Sequence, residues 1–103
     1  MDLLASLTEN KPVVMFSKST CPMSHTVREL IRGFGTEPYV IEIDKMPNGQ
    51  QIERALIQLG RRPTVPAVFI GQQFIGGIDE LISLNVQNKL VQLLLKAKAI
   101  FFW

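Results

Sequence analysis

The chain has 103 residues, enough for one domain and too few for two. Its 47% hydrophobic content requires a packed core rather than disorder, and its net charge of +2, with no dense Lys/Arg run, gives no ground for direct nucleic-acid binding. A single cysteine excludes an intramolecular disulfide framework and a multi-cysteine zinc site made by one chain, and points to a reducing compartment.

The N-terminal stretch Met1 to Leu7 carries an acid and lacks the basic flank and sustained apolar run of a signal peptide. No apolar run approaches the roughly 20 residues that span a bilayer. A soluble intracellular protein without membrane association is expected. Asp2 to Thr8 reads as a short helix with Leu3, Leu4 and Leu7 toward the core. Pro12 to Phe16 is a buried strand. Pro22 to about Phe34 is a helix, because Val27, Leu30, Ile31 and Phe34 recur at helical spacing, and Gly33 and Gly35 can end it. Tyr39 to Ile43 is the next strand. Strand, helix and strand in so short a span make a right-handed crossover with parallel strands. Asn48 is placed to cap a further helix, in which Ile52, Ala55, Leu56 and Leu59 repeat the apolar spacing before Gly60 stops it. Arg61 and Arg62 read as a basic cluster at its end.

The second half has a different pattern. Ala67 to Ile70 and Phe74-Ile75 are short apolar runs around Gly71-Gln72-Gln73, a tight hairpin and hence antiparallel. Gly76-Gly77 breaks the pattern. Ile78 to Leu84 fits a short helix, and Asn85 or Asn88 is placed to cap another running toward Lys96. The order α-β-α-β-α-β-β-α-α fits an α/β domain over residues 1–103, a four-stranded mixed sheet flanked by helices on both faces.

Cys21 lies between the first strand and the helix it opens. Unpaired N–H groups and the positive dipole end at a helix start stabilise a thiolate, Lys18 adds a positive charge upstream, and Pro22 suits the first helical position. The polar flanks Ser17 to Thr20 and Ser24-His25 favour a solvent-reachable thiol over a buried inert one. His25, one turn after Cys21, reads as a partly exposed helical histidine, since two candidate ligands are too few for a metal.

Three segments in order, Lys18-Ser19-Thr20-Cys21-Pro22, Thr64-Val65-Pro66 and Gly76-Gly77-Ile78-Asp79, with these elements between them, resemble the glutaredoxins on the thioredoxin fold over nearly the whole chain. Ser24 to Val27, Pro66 to Gly71 and Gly76 to Leu81 look like the land-plant CC-type, or class III, branch. That branch usually has two adjacent cysteines. Here Pro22 takes the second place and Ser24 the later motif position, so the motif Cys21-Pro22-Met23-Ser24 is monothiol.

The resemblance implies a glutathione-dependent thiol–disulfide oxidoreductase that deglutathionylates proteins through a mixed disulfide at Cys21, glutathione itself supplying the resolving thiol. Lys18 and Gln58 would meet the glycine carboxylate of glutathione. A cis Val65-Pro66 bond would offer backbone groups to its peptide. Gly77, Ile78 and Asp79 at a helix start would receive the γ-glutamyl end. From the residues alone, Lys18 and Gln58 also fit solvated surface side chains, and Asp79 fits a helix-start acid. The resemblance further implies a monomer in cytoplasm and nucleus. One alternative is a weakly active or inactive adaptor that binds TGA-type bZIP transcription factors, and a TOPLESS-type co-repressor, through the Leu90-Leu93-Leu94 stripe and the tail Ala99 to Trp103. Packing of that stripe on the core is the plainer reading. Another alternative is an iron–sulfur cluster shared between two chains, which Pro22 disfavours because the family's cluster carriers have a small residue there.

Overall fold

Val13 to Ser17 form the first strand, β1, and every one of its residues is buried. Strand side chains alternate between faces, so an unbroken buried run needs cover on both sides. In the computed structural model, which describes residues 2–60 and 63–103, helices supply that cover. The elements are α1 (Leu3–Thr8), β1, α2 (Pro22–Arg32), β2 (Tyr39–Glu42), a short 3-10 turn (Ile43–Lys45), α3 (Gly49–Ile57), β3 (Ala67–Ile70), β4 (Gln73–Gly76), α4 (Ile78–Val86) and α5 (Leu90–Lys96).

The described strands form one four-stranded sheet in the order β2-β1-β3-β4. β1 runs parallel to β2, with Phe16 opposite Ile41, and antiparallel to β3, with Val14 opposite Phe69. β3 and β4 form the antiparallel hairpin, turning through Gly71 (φ 58°) and Gln72 (φ 67°). Val14 and Phe16 pack with Ile41, Ala67 and Phe69 under Leu4 of α1 and Ile52 and Leu56 of α3. Val13 and Met15 pack with Val68 and Ile70 under Val27 and Ile31 of α2, Leu81 of α4, and Leu90 and Leu94 of α5. The expected mixed sheet with helices on both faces is therefore the observed architecture.

The helix ends refine the sequence expectations. Asp2 stands outside α1 as its cap, accepting the Leu4 N–H at 3.0 Å. α2 stops at Arg32, and Phe34 packs beyond the helix against the second core. α3 ends at Ile57, so Leu59 falls past it and is 40% exposed rather than continuing the buried stripe. Asn48 occupies the cap position of α3 without a side-chain cap bond. Neither Asn85 nor Asn88 caps α5. Lys89 stands at that position. Asn88 instead closes α4 with φ 61°, its N–H bonding Asn85 O at 3.1 Å while the Lys89 N–H bonds Leu84 O at 2.8 Å, a Schellman ending. Lys98 (φ 63°) closes α5 in the same way, with the Ala99 N–H on Leu94 O at 2.9 Å, and this turn returns Ile100 to the second core.

One close approach fixes α3 against the turn that precedes it. A Cβ on Gly49 would lie 2.1 Å from the Ile43 carbonyl oxygen. Backbone cannot yield as a side chain can, so Gly49→Ala should destabilise the fold by about 1–3 kcal/mol, the usual cost of overpacking. Urea unfolding followed by circular dichroism measures this, and an unchanged midpoint would show that the turn moves freely.

Candidate active site around Cys21

β1 ends at Ser17, and the next four residues turn into α2. The Cys21 N–H closes the turn on Lys18 O at 3.0 Å. Cys21 then takes the cap position of α2 in extended conformation (φ −89°, ψ 107°), with Pro22 as the first helical residue and no side-chain cap bond on the sulfur. The thiol is free and half-buried against the first core. Ser17 and Ser24 are both buried, their hydroxyls hydrogen-bonded at 2.6 Å, and Ser17 Oγ also lies 3.1 Å from Lys18 O. This pair ties the first turn of α2 to the strand end. Ser24, at the place of a resolving thiol, thus faces inward, while Met23 and His25 are exposed. A shallow groove beside Cys21 is lined by Met15, Ser17, Lys18, His25 and Arg28 among others.

The loop is also held from outside. Asp44 Oδ1 accepts the Ser19 N–H at 3.0 Å, and Asp44 Oδ2 accepts the Ser19 hydroxyl. Hydrogen bonds from the Ser19 side chain and then its backbone hold the Asp44 carboxyl below the usual aspartate range.

Lys18 is already partnered. Its Nζ donates to Glu53 Oε1 at 3.2 Å, and Thr64 Oγ1 donates to the same oxygen at 2.8 Å. The other oxygen, Glu53 Oε2, is buried without a hydrogen-bond partner among the described residues. Lys18 and Glu53 face a second cleft together with Asp44, Met46, Gly49 and Gln50.

The structure brings some of the predicted residues together and leaves others apart. Lys18 stands beside Cys21 in the shallow groove. Val65-Pro66 is cis, both residues are buried, and Thr64 links the segment to Lys18 through Glu53. Gln58 is the exposed C-terminal cap of α3 and lines neither cleft, and it is Glu53 of the same helix that meets Lys18. Gly77 is the buried cap of α4, with its N–H on Glu80 Oε1 at 2.8 Å. Ile78 packs on the second core, and exposed Asp79 borders a different groove with Ile75, Glu80, Ser83 and Leu84. Arg61 and Arg62 lie outside the described residues. No group of three or more His, Cys, Asp or Glu stands together as a metal site among the described residues. Sequence reasoning missed Glu53 and Asp44. The one available signal was Glu53 at the margin of the apolar stripe between Ile52 and Leu56.

A glutaredoxin family model matches residues 13–75. Monothiol glutaredoxin-S6 and monothiol glutaredoxin-S1 of Arabidopsis thaliana are each 54% identical to the chain over 101 residues, covering 98% of it and 99% of each relative. Among solved structures, the buckwheat glutaredoxin–glutathione complex is similar with a TM-score of 0.87 at 37% identity, over 93% of this chain and 87% of that one. Wheat glutaredoxin is similar with a TM-score of 0.86 at 41% identity, over 94% of this chain and 92% of that one.

A depressed acid contributes stability that is complete above its unfolded value and is lost as pH falls through its lower folded value. The Asp44–Ser19 latch should therefore survive to below about pH 3.9, the ordinary aspartate value. The Ser19 amide resonance followed by NMR against pH should show a midpoint below that figure, and a midpoint at or above it would mean the latch does not hold in solution.

Proposed function

The chain belongs to the glutaredoxin family, and from that premise we propose that it is a monothiol, glutathione-dependent oxidoreductase that deglutathionylates proteins through Cys21. The Cys21 thiolate attacks the glutathione sulfur of a protein–glutathione disulfide. That S–S bond breaks as the Cys21–glutathione bond forms, and the protein sulfur leaves as a thiolate and takes up a proton. A second glutathione thiolate then attacks the glutathione sulfur on Cys21. Oxidised glutathione leaves and the Cys21 thiolate is restored. The two glutathiones supply the two electrons, so no second cysteine is needed.

The observation that carries this reading is the free, half-buried thiol at the cap of an eleven-residue helix, followed one turn on by Ser24 rather than by a second thiol. Unpaired N–H groups and the positive dipole end at a helix start favour a thiolate over a thiol as the attacking form. The cis Val65-Pro66 segment and the start of α4 are the remaining candidates for the peptide and γ-glutamyl parts of glutathione. Likeness to a glutaredoxin described in complex with glutathione supports the choice of ligand. After treatment with oxidised glutathione, intact mass should show one glutathione per chain and none on Cys21→Ser, and only the wild type should release glutathione from a glutathionylated protein. A wild type that stays adduct-free would overturn the reading.

A second reading, an adaptor of cytoplasm and nucleus that binds TGA-type bZIP factors, is favoured by one feature. Phe101, Phe102 and Trp103 are 79%, 87% and 71% exposed, and clustered aromatics are frequent anchors of protein contacts. The leucine stripe is not available for this role, because Leu90 and Leu94 are fully buried. Ile100 belongs to the core, so the informative truncation removes 101–103 alone. It should fold, form the Cys21 adduct as before and lose binding to a TGA-type factor by tenfold or more. Retained binding would remove the tail from the contact surface.

A further inference from the structure

The shallow groove beside Cys21 opens toward β2. Val40 and Glu42 of that strand line it with His25 and Arg28, and neither Val65-Pro66 nor α4 does. The sheet order explains this, since β2 and β3 lie on opposite sides of β1. Arg28, Val40 and Glu42 also line a wider groove, which continues past Tyr39 to Lys11. The two grooves thus form one track from the thiol along β2. That strand ends the sheet, so one edge of Tyr39–Glu42 has no partner strand among the described residues, and a strand edge presents a row of backbone donors and acceptors. The cations of the track differ in their partners. Arg28 Nε donates to Glu37 at 3.1 Å, and Lys45 lies 3.2 Å from Glu42. The Lys11 ammonium instead lies over the Tyr39 ring, 4.7 Å from its centre, and no carboxylate pairs with it among the described residues.

We propose that the β2 edge is the docking track for the polypeptide that carries the glutathionylated cysteine: the segment flanking that cysteine adds to β2 as a further strand and sets an acidic side chain on Lys11. The inference rests on the reading that Cys21 takes glutathione from proteins. In that reaction glutathione is held on the side of Val65-Pro66 and α4, which leaves the β2 side to the departing polypeptide. An added strand gains affinity from main-chain hydrogen bonds, which any sequence supplies, and selectivity from side chains at fixed positions. Lys11 is the charge available for that selection, because Arg28 and Lys45 are already paired. β2 runs parallel to β1, so Glu42 lies at the Cys21 end and Tyr39 at the far end. At roughly 3.3 Å per strand residue, a cysteine held at the Glu42 end puts the acid about four positions away along the segment.

The test uses glutathionylated peptides of one length with a single cysteine and otherwise neutral flanks. Glu or Gln is placed about four positions before or after the cysteine, matching the span of β2. The glutathione–mercaptoethanol mixed disulfide serves as a substrate with no flanks. Release of each thiol by excess glutathione gives kcat/KM for wild type, Lys11→Glu and Lys11→Met, with circular dichroism checking each fold. Methionine keeps an apolar stem over Tyr39 and removes the charge. In the wild type, Glu should exceed Gln about tenfold at one of the two placements, the change produced by roughly 1.4 kcal/mol. Both Lys11 variants should lose that preference and keep the wild-type rate on the unflanked substrate, whereas Lys89→Glu, exposed and outside both grooves, should keep the preference. N-methylation of alternate flank residues should slow turnover in one of the two alternating registers and not in the other, because only alternate backbone groups of an added strand face the sheet. The proposal requires both results. A Glu preference absent in the wild type or surviving in the Lys11 variants would overturn it, and so would equal rates in the two methylation registers. No turnover of even the unflanked substrate would instead overturn the Cys21 reading on which the proposal rests.

Discussion

The burial of β1 on both faces is the constraint on which the rest of the molecule depends. A strand with no solvent face must be central, and a central strand must be covered twice. Val14 and Phe16 anchor the layer of α1 and α3, and Val13 and Met15 anchor the layer of α2, α4 and α5. The same strand delivers the chemistry, because Lys18 and Cys21 leave its end while its last residue, Ser17, is still inside. The thiol is therefore positioned from the one strand that contributes to both cores and pairs on both edges. The Ser17–Ser24 hydroxyl pair and the Asp44–Ser19 latch hold the connecting turn from its buried and exposed sides.

Much of this was legible because it follows from periodicity and from residues with narrow conformational choices. Alternation of apolar runs around Gly71 and Gln72 identified the hairpin, and Pro22 after Cys21 marked the start of α2. The less legible parts depend on distance in sequence or on where a helix stops. Gln58 and Leu59 looked like members of α3 because the spacing carries through them, yet the backbone leaves the helix at Ile57 and both side chains end in solvent. Asn88 looked like a cap for α5 because asparagine suits that role, but it also tolerates the left-handed conformation, and closing α4 used that property first. Glu53 was unreadable as a site residue because its partner Lys18 lies 35 positions away, on the far side of a strand and a helix.

The Lys18–Glu53–Thr64 cluster joins three segments around one cleft: the loop before Cys21, the middle of α3 and Thr64, which precedes the cis Val65-Pro66 pair. Such a link orients Lys18, and it also occupies it. Part-exposed ion pairs contribute little to folding, about 0–1 kcal/mol, so the cluster matters for where it holds Lys18 rather than for stability.

The tail has a spectroscopic consequence. Trp103 is the sole tryptophan, and it lies at the exposed end of the chain with its ring 4.9 Å from that of Phe34. Its emission in the folded protein is that of an indole already in contact with water, and it reports the tail's position against the end of α2 rather than the integrity of either core. The fluorophore is thus a built-in label for whatever touches the C-terminus, and a poor witness to unfolding of the sheet that holds the thiol.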